Sequence, residues 1–538
     1  MASSSGAWTR ANHLGLLANG EGFDVLVIGG GVIGCGVALD LAARGLHVAV
    51  VEQHDFAAGT SGRSTKLFHG GIRYLPQFRF QLVAEGLREQ EVLARIADYL
   101  FEPLEFVVPV YRNIALANAP DWVAKGRRGS LALRAGLLLY DLLGGLDRPG
   151  SRHRRITLAE LETAVPRLRT EGLRFGFVYS DAQTDDVRLV IAIVRTAVDR
   201  YGAVAVNRLQ ATAIDSVADG YSVTLRDGVS TDEFRVRSRA VVVASGAFPP
   251  PAVDGSRPLK MTVSKGAHLV VEASRVGLGS RAVVLPRTDD GRILYIIPWA
   301  EHALIGTTDT LYQGNLAHPA ADHADIDYLI RHVQRYLDVP AFEPLSTFAG
   351  LRALMDGASG QTAKASRAHV LVSPRPGYVQ VAGGKLTTYR RISADAAKMV
   401  ARSLKTTTKS PTESVRLVGS GVVFTTEPDP IHRNRLRRYG THHKHIERII
   451  MESPELARIM GDGRTALAEA VHAVRHESAV SISDFTLRRT RLGWLTHDHA
   501  RKDQRAIAAV MAKELGWSAN EVEQQINDHE AELTAEGL

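Results

Sequence analysis

Cysteine is nearly absent, with a single residue, Cys35, in 538. Neither an internal disulfide framework nor a cysteine-based metal cluster can form, so a reducing compartment suits the chain. Aromatic residues are sparse at 6%, and no stretch approaches the roughly 18 apolar residues of a membrane-spanning helix. The opening MASSSGAWTRANHLGLLANGEG lacks the continuous apolar segment of a secretory signal. The expectation is a cytoplasmic protein, or one that sits on a membrane without crossing it. Acidic residues fall short of basic ones, 58 against 65, leaving a formal charge of +7. That balance favours anionic partners, whether phosphorylated metabolites, lipid headgroups or nucleic acid. What is plentiful is hydrophobic content, 45% over a length too great for one compact core, so two or three domains are expected.

Organisation becomes legible at Phe23. The apolar run FDVLVIG meets glycines, continues with helical spacing through Arg44, and returns to an extended run at LHVAVVE. The turn of this βαβ unit carries Gly29-x-Gly31-x-x-Gly34, with Ala38 beyond. Gly29 makes the turn, Gly31 lets the backbone approach a pyrophosphate, and Gly34 allows close helix–strand packing. Three glycines alone mark only a tight turn. The flanking strand and helix, and Glu52 at 21 residues past Gly31, make it a dinucleotide site. An acid there can hydrogen-bond the adenosine ribose and would repel a 2′-phosphate, which disfavours NADP. The turn serves NAD and FAD alike.

Two more strand-like runs end in small residues, RAVVVASGAF (239–248) and YVQVAGGKLTTYR (378–390). Strand ends distant in sequence can then converge on one long cofactor. Between about 260 and 345 the runs HLVVEA, RAVVLPR, ILYIIPW and HALIGTTD predict an inserted antiparallel sheet facing the substrate. TTTKSPTES reads as a linker, and helical spacing dominates after it. The expected fold is α/β, α+β overall. It comprises an N-terminal extension (1–20), a discontinuous Rossmann-like domain with the inserted sheet (21–405) and a C-terminal helical domain (406–538).

The segment Ala58 to Leu75, AGTSGRSTKLFHGGIRYL, is rich in hydroxyls and glycines and carries Arg63, Lys66, His69 and Arg73. It suits a flavin's phosphates and ring edge, although an ordinary polar loop has the same composition. It resembles the S/T-S-x-x-S-K-L-x-H-G-G-x-R-Y-L signature of the FAD-dependent glycerol-3-phosphate dehydrogenases of the aerobic, quinone-linked type. YSDAQTDDVRLV (179–190), SKGAHLV (264–270), IIPW and IGTTD (296–309), GLRAL (350–354) and GGKLTTYR (383–390) are similar to that family in order and spacing, spanning roughly residues 23 to 395. DFTLRRTRLGW (484–494) looks like its helical C-terminal domain, with less specificity.

The resemblance implies FAD as cofactor and assigns residues to it. Gly29, Gly31, Gly34 and Glu52 would hold the ADP half, and Thr60, Ser61, Ser64, Thr65, Lys66 and Leu67 the middle. Gly70 and Gly71, with His69, would lie near the ring, and Ser245 and Gly246 on the pyrophosphate side, where the family more often has Ala-Thr-Gly. Gly384, Lys385, Leu386 and Thr387 would meet the pyrimidine end, where a cation stabilises anionic reduced flavin. Glycerol 3-phosphate is the implied substrate, with Arg73, Arg352 and Arg367 offered for bidentate phosphate capture and Lys385 assisting. The base for the C2 hydroxyl is His268 or, alternatively, His69, since imidazole titrates near neutrality. Thr308, beside Thr307, could bind substrate hydroxyls or satisfy a turn. Ala353 stands where the family usually has proline, which could loosen Arg352.

The remaining features bear on partners. The basic run His432–Arg448 lacks aromatic interleaving and reads as a solvated helix face, so nucleic acid is not expected, and no metal site is expected either. PDWVAKGRRGSLALRAGLLLYDLL (120–143) sets Lys125, Arg127, Arg128 and Arg134 beside Trp122 and a leucine-rich face. It is either an interfacial helix on anionic lipid or a helix packed on its own domain. A quinone acceptor favours peripheral association with the inner face of the plasma membrane, and a homodimer is compatible with the sequence. Two other functions stay open: a flavoprotein oxidase, acting on glycerol 3-phosphate with oxygen or on amines or amino acids, and a noncatalytic flavin-binding protein.

Overall fold

The structure is a computed structural model that describes residues 8–20, 22–112, 126–145, 152–251, 253–254, 261–355, 369–406, 408–422 and 429–538. Its first sheet forms from the apolar runs anticipated above. The spatial order is Val370–Arg375, Tyr378–Ala382, Glu233–Val243, Phe23–Ile28, Val48–Val51, Val204–Val206. From Tyr378–Ala382 onward these strands run parallel, with Val25 opposite both Ala240 and Val48. Strands buried on both faces read as continuous Val/Ile runs rather than alternations. The helix Val32–Ala43 is apolar all round because it is enclosed, packing against helices Asp186–Tyr201 and Tyr389–Ser403, with Cys35 fully buried.

The second sheet is larger than the expected insertion at 260–345. It has ten strands and also recruits Leu67–Phe68, Glu102–Tyr111, Arg154–Ile156, Leu173–Gln183 and Ser346–Met355. It is antiparallel except where Ala282–Leu285 runs parallel to Glu102–Tyr111. These pairings join segments distant in sequence, Ala282 with Phe106 and Leu67 with Gln183 among them, and local periodicity carries no record of them. Along Met261–Glu272 side chains alternate between faces. Leu269 and Val271 join the core that also takes in Leu329, Val333 and Tyr336 of helix His323–Tyr336, while Val270 joins the opposite one. Gly266 and His268 share the Val270 face.

The C-terminal domain is helical as expected, built from Pro430–Tyr439, His443–Glu452, Ala468–Glu477, Gln504–Leu515 and Ala519–Glu536 around its own core. It docks through buried ion pairs. Arg488 and Arg489 both reach Asp55, Arg188 makes two hydrogen bonds to Glu477 (2.7 and 2.6 Å), and Arg491 bonds Asp186 (2.5 Å). The basic run is not wholly solvated: Arg438 is partly buried and pairs with Glu469 at 2.6 Å. The expected linker is also packed down, with the hydroxyls of Ser410 and Thr412 donating to Asp40. The N-terminal extension is docked, since Trp8 Nε1 donates to the Ala205 carbonyl (3.1 Å) and helix Arg10–Ala18 lies on Val204–Val206. Among the described residues, no helix is long and apolar enough to cross a membrane.

Candidate active site

A cavity of about 1540 Å³ opens at the carboxyl ends of the parallel strands. Gly29 and Gly31 after the first strand, Glu52 after the second, Ser245 and Gly246 after Glu233–Val243, and Gly384 to Thr387 after Tyr378–Ala382 all line it. Ligands of open α/β sheets bind there. Gly29 has φ +116°, and a Cβ on it would overlap the Ala244 carbonyl. A Cβ on Gly31 would come within 3.0 Å of Ser61 Oγ, and one on Gly34 would overlap the Gly29 carbonyl. The helix Val32–Ala43 therefore presents a bare N-terminus whose Val32 N–H donates to Ser61 Oγ (2.9 Å). A glycine cradle at a helix dipole fits a pyrophosphate. The Glu52 carboxylate accepts from the Gly30 and His54 N–H groups (2.6 and 2.9 Å), fixing the turn it lines. Gly30, not singled out from sequence, is also required, because a Cβ there would sit 2.7 Å from Glu52 Cβ and Phe56.

The loop from Thr60 divides its side chains between two sides. Thr60, Ser61, Ser64, Thr65, Leu67 and His69 line the cavity, and the His69 N–H donates to Thr387 Oγ1 (3.1 Å). Lys66 does not. At φ +59° it turns beneath the loop, buried over the Trp299 ring, with Nζ 2.9 Å from Asp186. The cavity wall there is formed by its hydroxyl neighbours, and Lys66 anchors the loop to the helix Asp186–Tyr201. Gly70 likewise faces away, its N–H donating to Tyr140 Oη (2.9 Å), and Gly71, with φ +86°, starts the turn Ile72–Gln77. Arg63 lines the cavity, but its guanidinium is engaged by Glu536 (2.6 and 2.5 Å).

Opposite the cradle, the second sheet supplies the polar side. His268 lies behind Thr65, whose Oγ1 is 3.0 Å from His268 Nε2, and stacks on Phe348 with ring centroids 4.9 Å apart. Two glycines clear its surroundings: a Cβ on Gly306 would overlap the imidazole, and one on Gly266 would overlap the Arg352 guanidinium. Burial, then the charges of Arg352 and Lys66, hold the His268 pKa well below the usual imidazole value, so the ring is neutral. Arg352 is secured without the family proline. Its strand pairs Arg352 with Ser264 and Ala353 with Val263, and its guanidinium donates to the Thr308 carbonyl (3.2 Å) and Thr307 Oγ1 (3.1 Å). Thr308 Oγ1 accepts from the Ala267 N–H (2.9 Å), so its hydroxyl braces the strand. Lys385 Nζ stands 4.0 Å over the Tyr74 ring and lines the cavity. Arg292 lines it too, 3.9 Å from Asp309. Sequence reading missed this arginine, whose one signal is its place just ahead of ILYIIPW. Arg73 lies on the turn Ile72–Gln77 with its side chain not described, and Arg367 lies outside the described residues.

A profile of the FAD dependent oxidoreductase family matches residues 24–390, and one for the C-terminal domain of alpha-glycerophosphate oxidase matches residues 394–522. Glycerol-3-phosphate dehydrogenase 2 of Mycobacterium tuberculosis is 36% identical, covering 96% of this chain and 89% of its own. The mitochondrial glycerol-3-phosphate dehydrogenase of Macaca fascicularis is 31% identical, covering 96% of this chain and 74% of its own. The structure of glycerol-3-phosphate dehydrogenase from Bacillus halodurans complexed with FAD is similar at a TM-score of 0.76 and 25% identity, covering 98% of this chain and 97% of that one. With the glycine cradle at the strand ends and both profiles matched in order along it, the chain belongs to the FAD-dependent glycerol-3-phosphate dehydrogenase family.

Proposed function

We propose that the protein oxidises sn-glycerol 3-phosphate to dihydroxyacetone phosphate, with His268 as the base and Arg352 as the phosphate anchor. The observation that carries this reading is that a neutral, buried imidazole and an arginine open into the same cavity as the dinucleotide cradle. When bound, FAD supplies the hydride acceptor. His268, whose Nε2 lies 3.0 Å from Thr65 Oγ1, takes the C2 hydroxyl proton. The phosphate dianion arriving at Arg352 offsets the positive field on His268 and makes the ring a stronger base as the complex forms. Arg292 and Lys385 add cationic character to the same cavity, while Thr307 and Thr308 hold Arg352 in place. His69 remains the second candidate base. An amine or amino-acid oxidase would not call for this set of cations. In a dye-reduction assay, glycerol 3-phosphate should exceed glycerol in kcat/KM by several orders of magnitude, and equal rates would contradict the assignment.

The acceptor proposed is a membrane quinone, reached from the inner face of the plasma membrane. Helix Gly126–Gly144 buries Leu137 and Tyr140 yet exposes Leu131 (65%), Leu138 (48%) and Leu142 (60%) along one stripe, with Arg134 exposed among them. Phe78, 71% exposed, lies with Arg79 in the adjoining segment, which also lines the cavity. Apolar side chains rimmed by arginines suit an anionic bilayer. Leu138→Glu/Leu142→Glu should abolish flotation on phosphatidylglycerol-containing vesicles. If a second copy of the chain covers the stripe instead, that variant would turn a dimer into a monomer and leave flotation unchanged. Peroxide formed during turnover would point to oxygen as the acceptor.

A further inference from the structure

His472 and His476 stand one turn apart on helix Ala468–Glu477, and His445 reaches them from the neighbouring helix His443–Glu452. One nitrogen of each ring lies within 4.8 Å of one nitrogen of each of the others. The ring centroids are 4.8 to 5.7 Å apart. Nothing in the dehydrogenase reaction uses them. We propose that His445, His472 and His476 form a binding site for a divalent transition metal ion of the zinc type.

Three features of the cluster carry this. His472 is fully buried, its Nδ1 has no hydrogen-bond partner and its Nε2 has only the Glu477 carboxylate at 3.4 Å, and His445 Nδ1 also lacks a partner. Buried polar atoms are otherwise nearly always satisfied, so these rings hold lone pairs with nothing to bind them. Second, positions i and i+4 of a helix bring two imidazoles to one face, the spacing helices use to grip zinc. A tetrahedral ion with bonds of about 2.0–2.1 Å requires nitrogens about 3.3 Å apart, closer than the present limit of 4.8 Å. Third, the rings come from two helices packed on each other, His445 from His443–Glu452 and His472 and His476 from Ala468–Glu477, so the nitrogens converge from both sides of one contact.

The donor set selects the ion. Imidazole nitrogens without a carboxylate cage suit Zn(II), Co(II) or Ni(II) and not Mg(II) or Ca(II). The surrounding charges are mixed: Glu477 Oε1 lies 3.4 Å from His472 Nε2, while the nearby cations are Arg195, paired with Asp199 at 3.2 Å, Arg188, paired with Glu477, and Arg448. An ion here would tie the two helices together. It would also stiffen the contact to the flavin domain, because Glu477 grips Arg188 and the Ser478 carbonyl accepts from Asn207.

The test uses full-length, flavin-loaded protein stripped with EDTA and re-equilibrated with Zn(II), then desalted and assayed for metal. The wild type is expected to retain one Zn(II) per chain, and Co(II) in its place should give tetrahedral d–d absorption to the red of the flavin bands. His445→Ala and His476→Ala alter partly exposed residues and should keep flavin content and helicity. Each should weaken Zn(II) binding more than about tenfold. His432→Ala, in a more open group with His443 and Glu447, should change nothing. The proposal is overturned if folded wild type retains no Zn(II), if the His445→Ala/His476→Ala double variant retains as much as wild type, or if the ion is lost through His432→Ala instead.

Discussion

His268 occupies a slot that one carbon atom would close. Gly306→Ala should therefore displace the imidazole and lower kcat/KM as strongly as removing it, while the glycine cradle, on another sheet, continues to hold flavin. His268→Ala should cost roughly 10²- to 10⁴-fold in kcat/KM with an unchanged flavin spectrum, the range expected for a general base. Because the folded-state pKa of His268 is depressed, the free enzyme keeps its base unprotonated below the ordinary imidazole value of about 6.5. The acid limb of kcat/KM should accordingly fall below that pH, and a limb above it would assign the base elsewhere. Arg352→Lys loses a planar fork and should raise KM about tenfold or more with a smaller effect on kcat. That His268 and Arg352 line the cavity was legible because they sit inside motifs. Arg292 was not, since a lone arginine in a turn is indistinguishable in sequence from any surface cation.

At the scale of elements, the helix Val32–Ala43 and its turn were readable except for the steric need for Gly30. Each of the three glycines has its own steric duty: positive φ at Gly29, open access at Gly31 and backbone contact at Gly34. Gly34→Ala places a methyl against the Gly29 carbonyl and should give folded but flavin-free protein, seen as loss of visible absorbance after purification. The loop from Thr60 was readable only in part. Which residues line a cavity is set by backbone dihedrals, and Lys66 at φ +59° points to Asp186, although its neighbours in the motif face the cofactor side. The second sheet was the least legible element. The runs at 260–345 identify strands, but Glu102–Tyr111 and Leu173–Gln183 join them by pairings that depend on the assembled chain.

For the whole molecule, stability depends on charges buried between the flavin domain and the helical domain. Asp55 holds both Arg488 and Arg489 with no exposure of its own. Asp55→Asn leaves two buried cations short of a partner and should cost about 3–5 kcal/mol, read as a lower Tm or earlier loss of flavin. Acid should act on the buried histidines. His13, His472 and His529 have pKa values lowered to about 4 by burial. The unfolded chain takes up those protons near pH 6.5 and the folded one does not, so stability should fall as pH drops from about 6.5 to about 4. A Tm that is flat across that window would contradict the burial of these rings. The most direct test of the enzyme as a whole is anaerobic mixing of flavin-loaded protein with substrate. Glycerol 3-phosphate should bleach the bound flavin while glycerol and sarcosine leave it oxidised, and a flavin that stays oxidised with glycerol 3-phosphate would contradict the central claim.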